Sequence, residues 1–167
     1  MADHNAATEF TADDFSYYET AGGARHYHLQ KPCIIFNGIF DERPLDVSIP
    51  KKLYGCPPNN KIGDGNYISI INETIKWLGG GGLKNELLST YKSCYKAHDE
   101  DDYEKGLRLL EEADEKYDEI YTRSADIKIG EDGTVSSLIC FVIDESVDGY
   151  YWLKITNKQI TSLEWCL

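Results

Sequence analysis

ADIKIGEDGTVSSLICFVIDESVDGYYWLKITNKQITSLEW, residues 125–165, is the stretch that decides the fold. Residues 125–129 alternate apolar and polar side chains, and Gly130-Glu131-Asp132-Gly133 is turn chemistry. Residues 134–144 give a longer strand, and Asp148-Gly149 turns the chain into a third strand over 150–156. Asn157 turns it again, and residues 159–165 close the meander. Strands joined by loops this short pair antiparallel with their neighbours.

Upstream of the meander the period becomes helical. Tyr67, Ile70, Ile71, Ile75 and Leu78 recur at helical spacing behind Asp64 or Asn66 as N-cap, and Gly79–Gly82 stops that helix. A second helix is expected over 83–97, with Leu87, Leu88, Tyr91, Cys94 and Tyr95 as its apolar set. A third over 102–122 puts Tyr103, Leu107, Leu110, Asp114, Tyr117 and Tyr121 on one stripe, opposite an almost wholly charged face. Closer to the N-terminus, Cys33-Ile34-Ile35-Phe36 with Ile39-Phe40 predicts one strand. Residues 45–49 alternate as a half-buried strand, and the flanking Pro44 and Pro50 suit a sheet edge. Residues 55–65, rich in Gly and Pro, read as a loop. Residues 1–20, with five acids and no Lys or Arg, form an acidic N-terminal arm or a short helix capped by Thr11. Residues 21–167 make a single α+β domain. Its mostly antiparallel sheet ends in the C-terminal β-meander and is packed by about three central helices in a single layer sandwich.

The 167 residues are 41% hydrophobic and 12% aromatic, too rich in core formers for a disordered chain. Acids outnumber bases 29 to 17, for a net charge of −12. That balance argues against tracking nucleic-acid phosphates and against docking on an anionic membrane. No run reaches the roughly 18 apolar residues of a membrane span, and Met-Ala-Asp-His-Asn is not a secretory signal. Cys33, Cys56, Cys94, Cys140 and Cys166 are odd in number and irregularly spaced, which supports neither a zinc ribbon nor a disulfide framework. A reducing, cytoplasmic setting is the expectation.

Charge is strongly segregated. Residues 99–119 hold eleven acids against three bases, a local −8. Two readings compete for this stretch. In one it is a solvated helix face, partly neutralised by Asp101–Lys105, Glu104–Arg108 and Glu112–Lys116 pairs at i,i+4. In the other it is a docking surface for a basic partner, since concentrated like charge speeds and selects such encounters. The excess of acids over bases favours the second.

Other motifs carry less. His26-Tyr27-His28 puts two imidazoles on one side of an extended segment, but a metal needs a third or fourth ligand, and no spacing supplies one. No metal or other cofactor is therefore expected. Gly79-Gly80-Gly81-Gly82-Leu83-Lys84 lacks phosphate-loop spacing and reads as a helix breaker. No catalytic signature is present, and acids on a helix surface lack the desolvation that would make an acid–base pair. Tyr150, Tyr151 and Trp152 alternate across one strand, so Tyr151 faces away from the other two.

A small acidic α+β chain without catalytic motifs, whose C-terminal third runs from Ala125-Asp-Ile-Lys-Ile-Gly-Glu-Asp-Gly-Thr134 into an aromatic meander, resembles the bacterial immunity proteins of contact-dependent inhibition and polymorphic toxin systems. The resemblance implies a non-enzymatic inhibitor that neutralises a toxin domain, commonly by presenting acids to a basic, nuclease-like cleft. On that reading Asp101, Asp102, Glu104, Glu111, Glu112, Glu115, Asp118 and Glu119 form the partner-binding surface. Two alternatives stay open. One is a nucleic-acid mimic of phage origin, whose carboxylates replace phosphates. The other is a small enzyme or ligand-binding protein using His26, His28 or a buried carboxylate.

Overall fold

A computed structural model describes residues 9–18, 24–50, 62, 65–97, 99–112, 120–143 and 149–166. The order is β1 (Phe15–Tyr18), β2 (Ala24–Leu29), β3 (Cys33–Ile35), β4 (Gly38–Phe40), β5 (Asp46–Pro50), α1 (Gly65–Gly79), α2 (Gly81–Cys94), β6 (Tyr95–Ala97), α3 (Glu100–Glu111), β7 (Tyr121–Ile129), β8 (Val135–Val142), β9 (Tyr150–Thr156) and β10 (Gln159–Cys166). Eight strands form one sheet in the order β1-β2-β5-β7-β8-β9-β10-β6, and β3-β4 is a separate hairpin. The pairing is mostly antiparallel, with β5–β7 and β6–β10 parallel, so the fold is α+β with a C-terminal meander.

One sheet face carries the core. Tyr27, Val47, Ile127, Ile139, Phe141, Tyr151, Leu153, Leu163 and Trp165 are buried there with Ile71, Leu78, Leu83 and Leu87 from the helices. The opposite face carries the alternate residues, among them His26, His28, Asp46, Asp126, Lys128 and Lys154. Among the described residues, no helix residue lines the depression on that side.

Several expected elements are redrawn. Residues 33–40 form a hairpin rather than one strand, because Phe36 and Asn37 both take positive φ (52° and 60°), the turn that matches the twist of a two-residue hairpin. Their amides donate to the Leu78 and Gly79 carbonyls at 3.0 and 3.1 Å and so cap α1. A Cβ on Gly79 would lie 2.5 Å from the Ile34 carbonyl oxygen, which explains the first glycine of the run. Gly80 then N-caps α2, and Gly81 and Gly82 lie in its first turn.

The strand bracketed by prolines is interior, between β2 and β7. Its rungs to β7 span only Asp46 to Ser48, so neither proline has to donate to that neighbour. The second helix stops at Cys94, and Tyr95–Ala97 adds to the sheet as β6 beside β10. The third helix spans Glu100–Glu111, starting earlier than expected, and Tyr121 opens β7; residues 113–119 of the expected 102–122 span lie outside the described residues. At the N-terminus the expected helix is a single 3-10 turn, Ala12–Asp14. Thr11 caps it as expected, and Phe15–Tyr18 then joins the sheet. Phe10 is buried and exchanges two hydrogen bonds with the Asn72 side chain, tying this segment to α1. The loop at 55–65 lies almost entirely outside the described residues.

Candidate functional site

The acidic helix is positioned by its contacts with the sheet. Asp99 accepts the Asp102 amide on its side chain at 2.8 Å, a capping bond, and Glu100, Asp101 and Asp102 fill the first turn at the positive end of the helix dipole. Gly106 is the close-contact point: a Cβ there would sit 1.7 Å from the Tyr95 hydroxyl oxygen. The buried Tyr151 hydroxyl donates to the Gly106 carbonyl at 3.0 Å, and Tyr95 donates to the Asp102 carbonyl at 3.3 Å. Burial pushes both phenols well above their ordinary value, so each remains a donor.

With one side fixed, the other faces water. Glu100, Asp101, Glu104, Glu111 and Glu112 are exposed, and Asp102 is partly covered. Glu100, Glu104 and Glu111 share one stripe at helical spacing, and Tyr103, 40% exposed, borders it. The expected Asp101–Lys105 and Glu104–Arg108 pairs are not formed among the described residues. Lys105 instead places its ammonium over the Trp165 ring at 5.7 Å. Glu111 meets Lys92 at 3.7 Å across two exposed side chains, a contact water screens heavily. Glu115, Asp118 and Glu119 lie outside the described residues, as do Lys116 and His98.

A second cluster occupies the open face of the sheet. His26 and His28 share that face, and β5 brings Asp46 between them: His26 Nδ1 lies 3.3 Å from Asp46 Oδ2, and His28 Nε2 3.7 Å from Asp46 Oδ1. The Tyr18 hydroxyl donates to the same Oδ1, and its ring packs against both imidazoles. Burial pushes the Tyr18 hydroxyl upward, and the Asp46 hydrogen bond adds to the shift. Asp126 on β7 pairs in register with Asp46. Crowding by surrounding atoms raises its carboxyl above 3.8, and the Asp46 charge raises it further, while His26 and His28 oppose the shift. No three His, Cys, Asp or Glu groups among the described residues are placed to hold a metal ion.

Sequence reading finds the histidine pair but not Tyr18, Asp46 or Asp126. Alternation along 45–49 places Asp46 with Ser48 on one face. The parallel β5–β7 pairing that joins Asp46 to Asp126 spans some eighty residues and leaves no local signal. Tyr151 does lie opposite Tyr150 and Trp152, on the helix side. Comparison with family models, with curated proteins and with solved structures finds no match.

Proposed function

We propose that the protein is a non-enzymatic inhibitor of the immunity type, which captures a basic, nuclease-like toxin domain on the outer face of α3 in the cytoplasm. One observation carries the reading: Glu100 and Glu104 are exposed, form no ion pair among the described residues, and lie beside the half-exposed Tyr103. An aromatic ring within a charged rim is the composition of a protein-binding hot spot. Solvated acids of one sign steer a cationic partner and reject acidic ones. The seat of α3, through Gly106, Tyr95 and Tyr151, presents this stripe on a backbone that is already ordered, so binding costs the acids only their side-chain freedom.

The test is a parallel capture from lysate of the source cell, with wild-type protein and the Glu104→Lys/Glu111→Lys variant as baits. One basic protein held by the wild type, released by salt and missed by the variant is the expected outcome. Equal capture by both baits refutes the assignment to α3, and capture of an acidic partner refutes the reading itself.

A further inference from the structure

The helix reading leaves the open face of the sheet unused, and that face carries a depression across β5, β7, β8 and β9 with opposite charges at its two ends. Asp46 and Asp126 stand side by side on neighbouring strands at one end. Lys128 and Lys154, both exposed, stand at the other, with the short side chains of Ser48 and Ser136 flanking Lys128 in register and Leu138 between Asp126 and Lys154.

We propose that this depression binds a small zwitterion, with a guanidinium or ammonium group on the Asp46–Asp126 end and a carboxylate on the Lys128–Lys154 end. Like charges directly opposite one another on adjacent strands are unfavourable, and an arriving cation relieves them. Asp126 accepts no hydrogen bond among the described residues, so its oxygens are available to a donor. Asp46 is held in place by Tyr18 and the imidazoles, which fixes the geometry a cation meets.

The dimensions select the ligand class. Asp126 and Lys128 are two residues apart on one strand, about 7 Å, and Asp126 and Lys154 are two strands apart through Leu138, about 10 Å. A free amino acid with a long cationic side chain spans that range when extended. A guanidinium also offers a carboxylate two parallel hydrogen bonds, which an ammonium cannot. The site is independent of the α3 reading, since α3 packs on the other face of the sheet against Tyr95, Tyr151 and Trp165.

The experiment is an amide-resolved NMR titration of the full chain with L-arginine and with agmatine, which keeps the guanidinium and lacks the carboxylate. L-arginine is expected to shift the amides of β5, β7 and β8 around Asp46, Asp126 and Ser136, and to bind more tightly than agmatine. Asp126→Asn should weaken L-arginine about tenfold or more, the equivalent of one charge-assisted hydrogen bond. Lys128→Gln should weaken L-arginine and should not weaken agmatine, whose own ammonium gains nothing from that lysine. Each variant's spectrum reports whether the fold is intact, and the two substitutions fail independently. No shifts at these amides, or L-arginine binding unchanged by both substitutions, would overturn the site. Equal affinity for L-arginine and agmatine would overturn the zwitterion and leave a cation site only.

Discussion

Gly106→Ala probes the contact that seats the acidic helix on the sheet. In a solvent-exposed helix interior this substitution stabilises by about 1 kcal/mol, because alanine loses less backbone entropy. Here the new Cβ would meet the Tyr95 Oη at 1.7 Å, its Cζ at 2.8 Å and the Trp165 Cβ at 3.3 Å. Tyr95 cannot yield cheaply: it is buried, it packs on Tyr103 at 5.3 Å, and its hydroxyl is bonded to the Asp102 carbonyl. Overpacking of this kind costs about 2–3 kcal/mol, which leaves a net loss of about 1–2 kcal/mol after the propensity gain. Urea denaturation followed by tryptophan fluorescence measures it, and a fall in Tm of roughly 2–8 °C accompanies it. The control is Tyr95→Phe, which removes the nearest clashing atom. Gly106→Ala should therefore cost less in that background, with a coupling of about 1 kcal/mol. A stabilised Gly106→Ala, or an equal cost in both backgrounds, would refute this seat for α3.

Three further outcomes follow from neighbouring contacts. Tyr151→Phe removes the second donor to the Gly106 carbonyl, which keeps its bond within α3, and should cost about 1 kcal/mol in the same urea assay, and a neutral result would deny that bond. The Asp14 carboxyl is held below 3.8, first by its hydrogen bond from Lys31 at 2.7 Å and then by the Thr11 amide. A lowered folded value stabilises fully above the unfolded one and is lost as pH falls through the folded one. The stability gap between wild type and Asp14→Asn should therefore shrink between about pH 6 and about pH 2, and a constant gap contradicts the bond. Cys33 is 1% exposed, and burial pushes its thiol up to about 12. Iodoacetamide near pH 8 should leave it unmodified in the native chain and label it in urea, as read by peptide mass spectrometry.

What was legible in the sequence was what depends on neighbours along the chain. The meander over 125–165, the helix carrying Tyr67 to Leu78 and the Thr11 cap rest on alternation, helical spacing and capping chemistry, all local properties, while Asn66 lies inside α1 rather than capping it. The misread elements were decided by contacts far along the chain. Tyr95 fits the apolar stripe of a helix as well as a strand, and β10 selects the strand. Pro44 and Pro50 suggest an edge, yet the rungs to β7 stop short of both. Helical spacing carries past Glu111 to Tyr121, while Tyr121, Arg123 and Ala125 equally alternate as a strand. The acidic stretch is visible as composition. That no i,i+4 pair forms around Glu104 among the described residues, and that Asp46 meets Asp126 on the other face, are properties of the folded chain with no local signal.

The central claim is that α3 binds a basic partner through its charge. The most direct measurement is a titration of the captured partner with wild-type protein and with Glu104→Lys/Glu111→Lys, each at low and at moderate ionic strength. The account predicts that affinity falls with salt for the wild type, falls about tenfold or more on charge reversal, and loses most of its salt dependence in the variant. An affinity indifferent to both salt and charge reversal would contradict it.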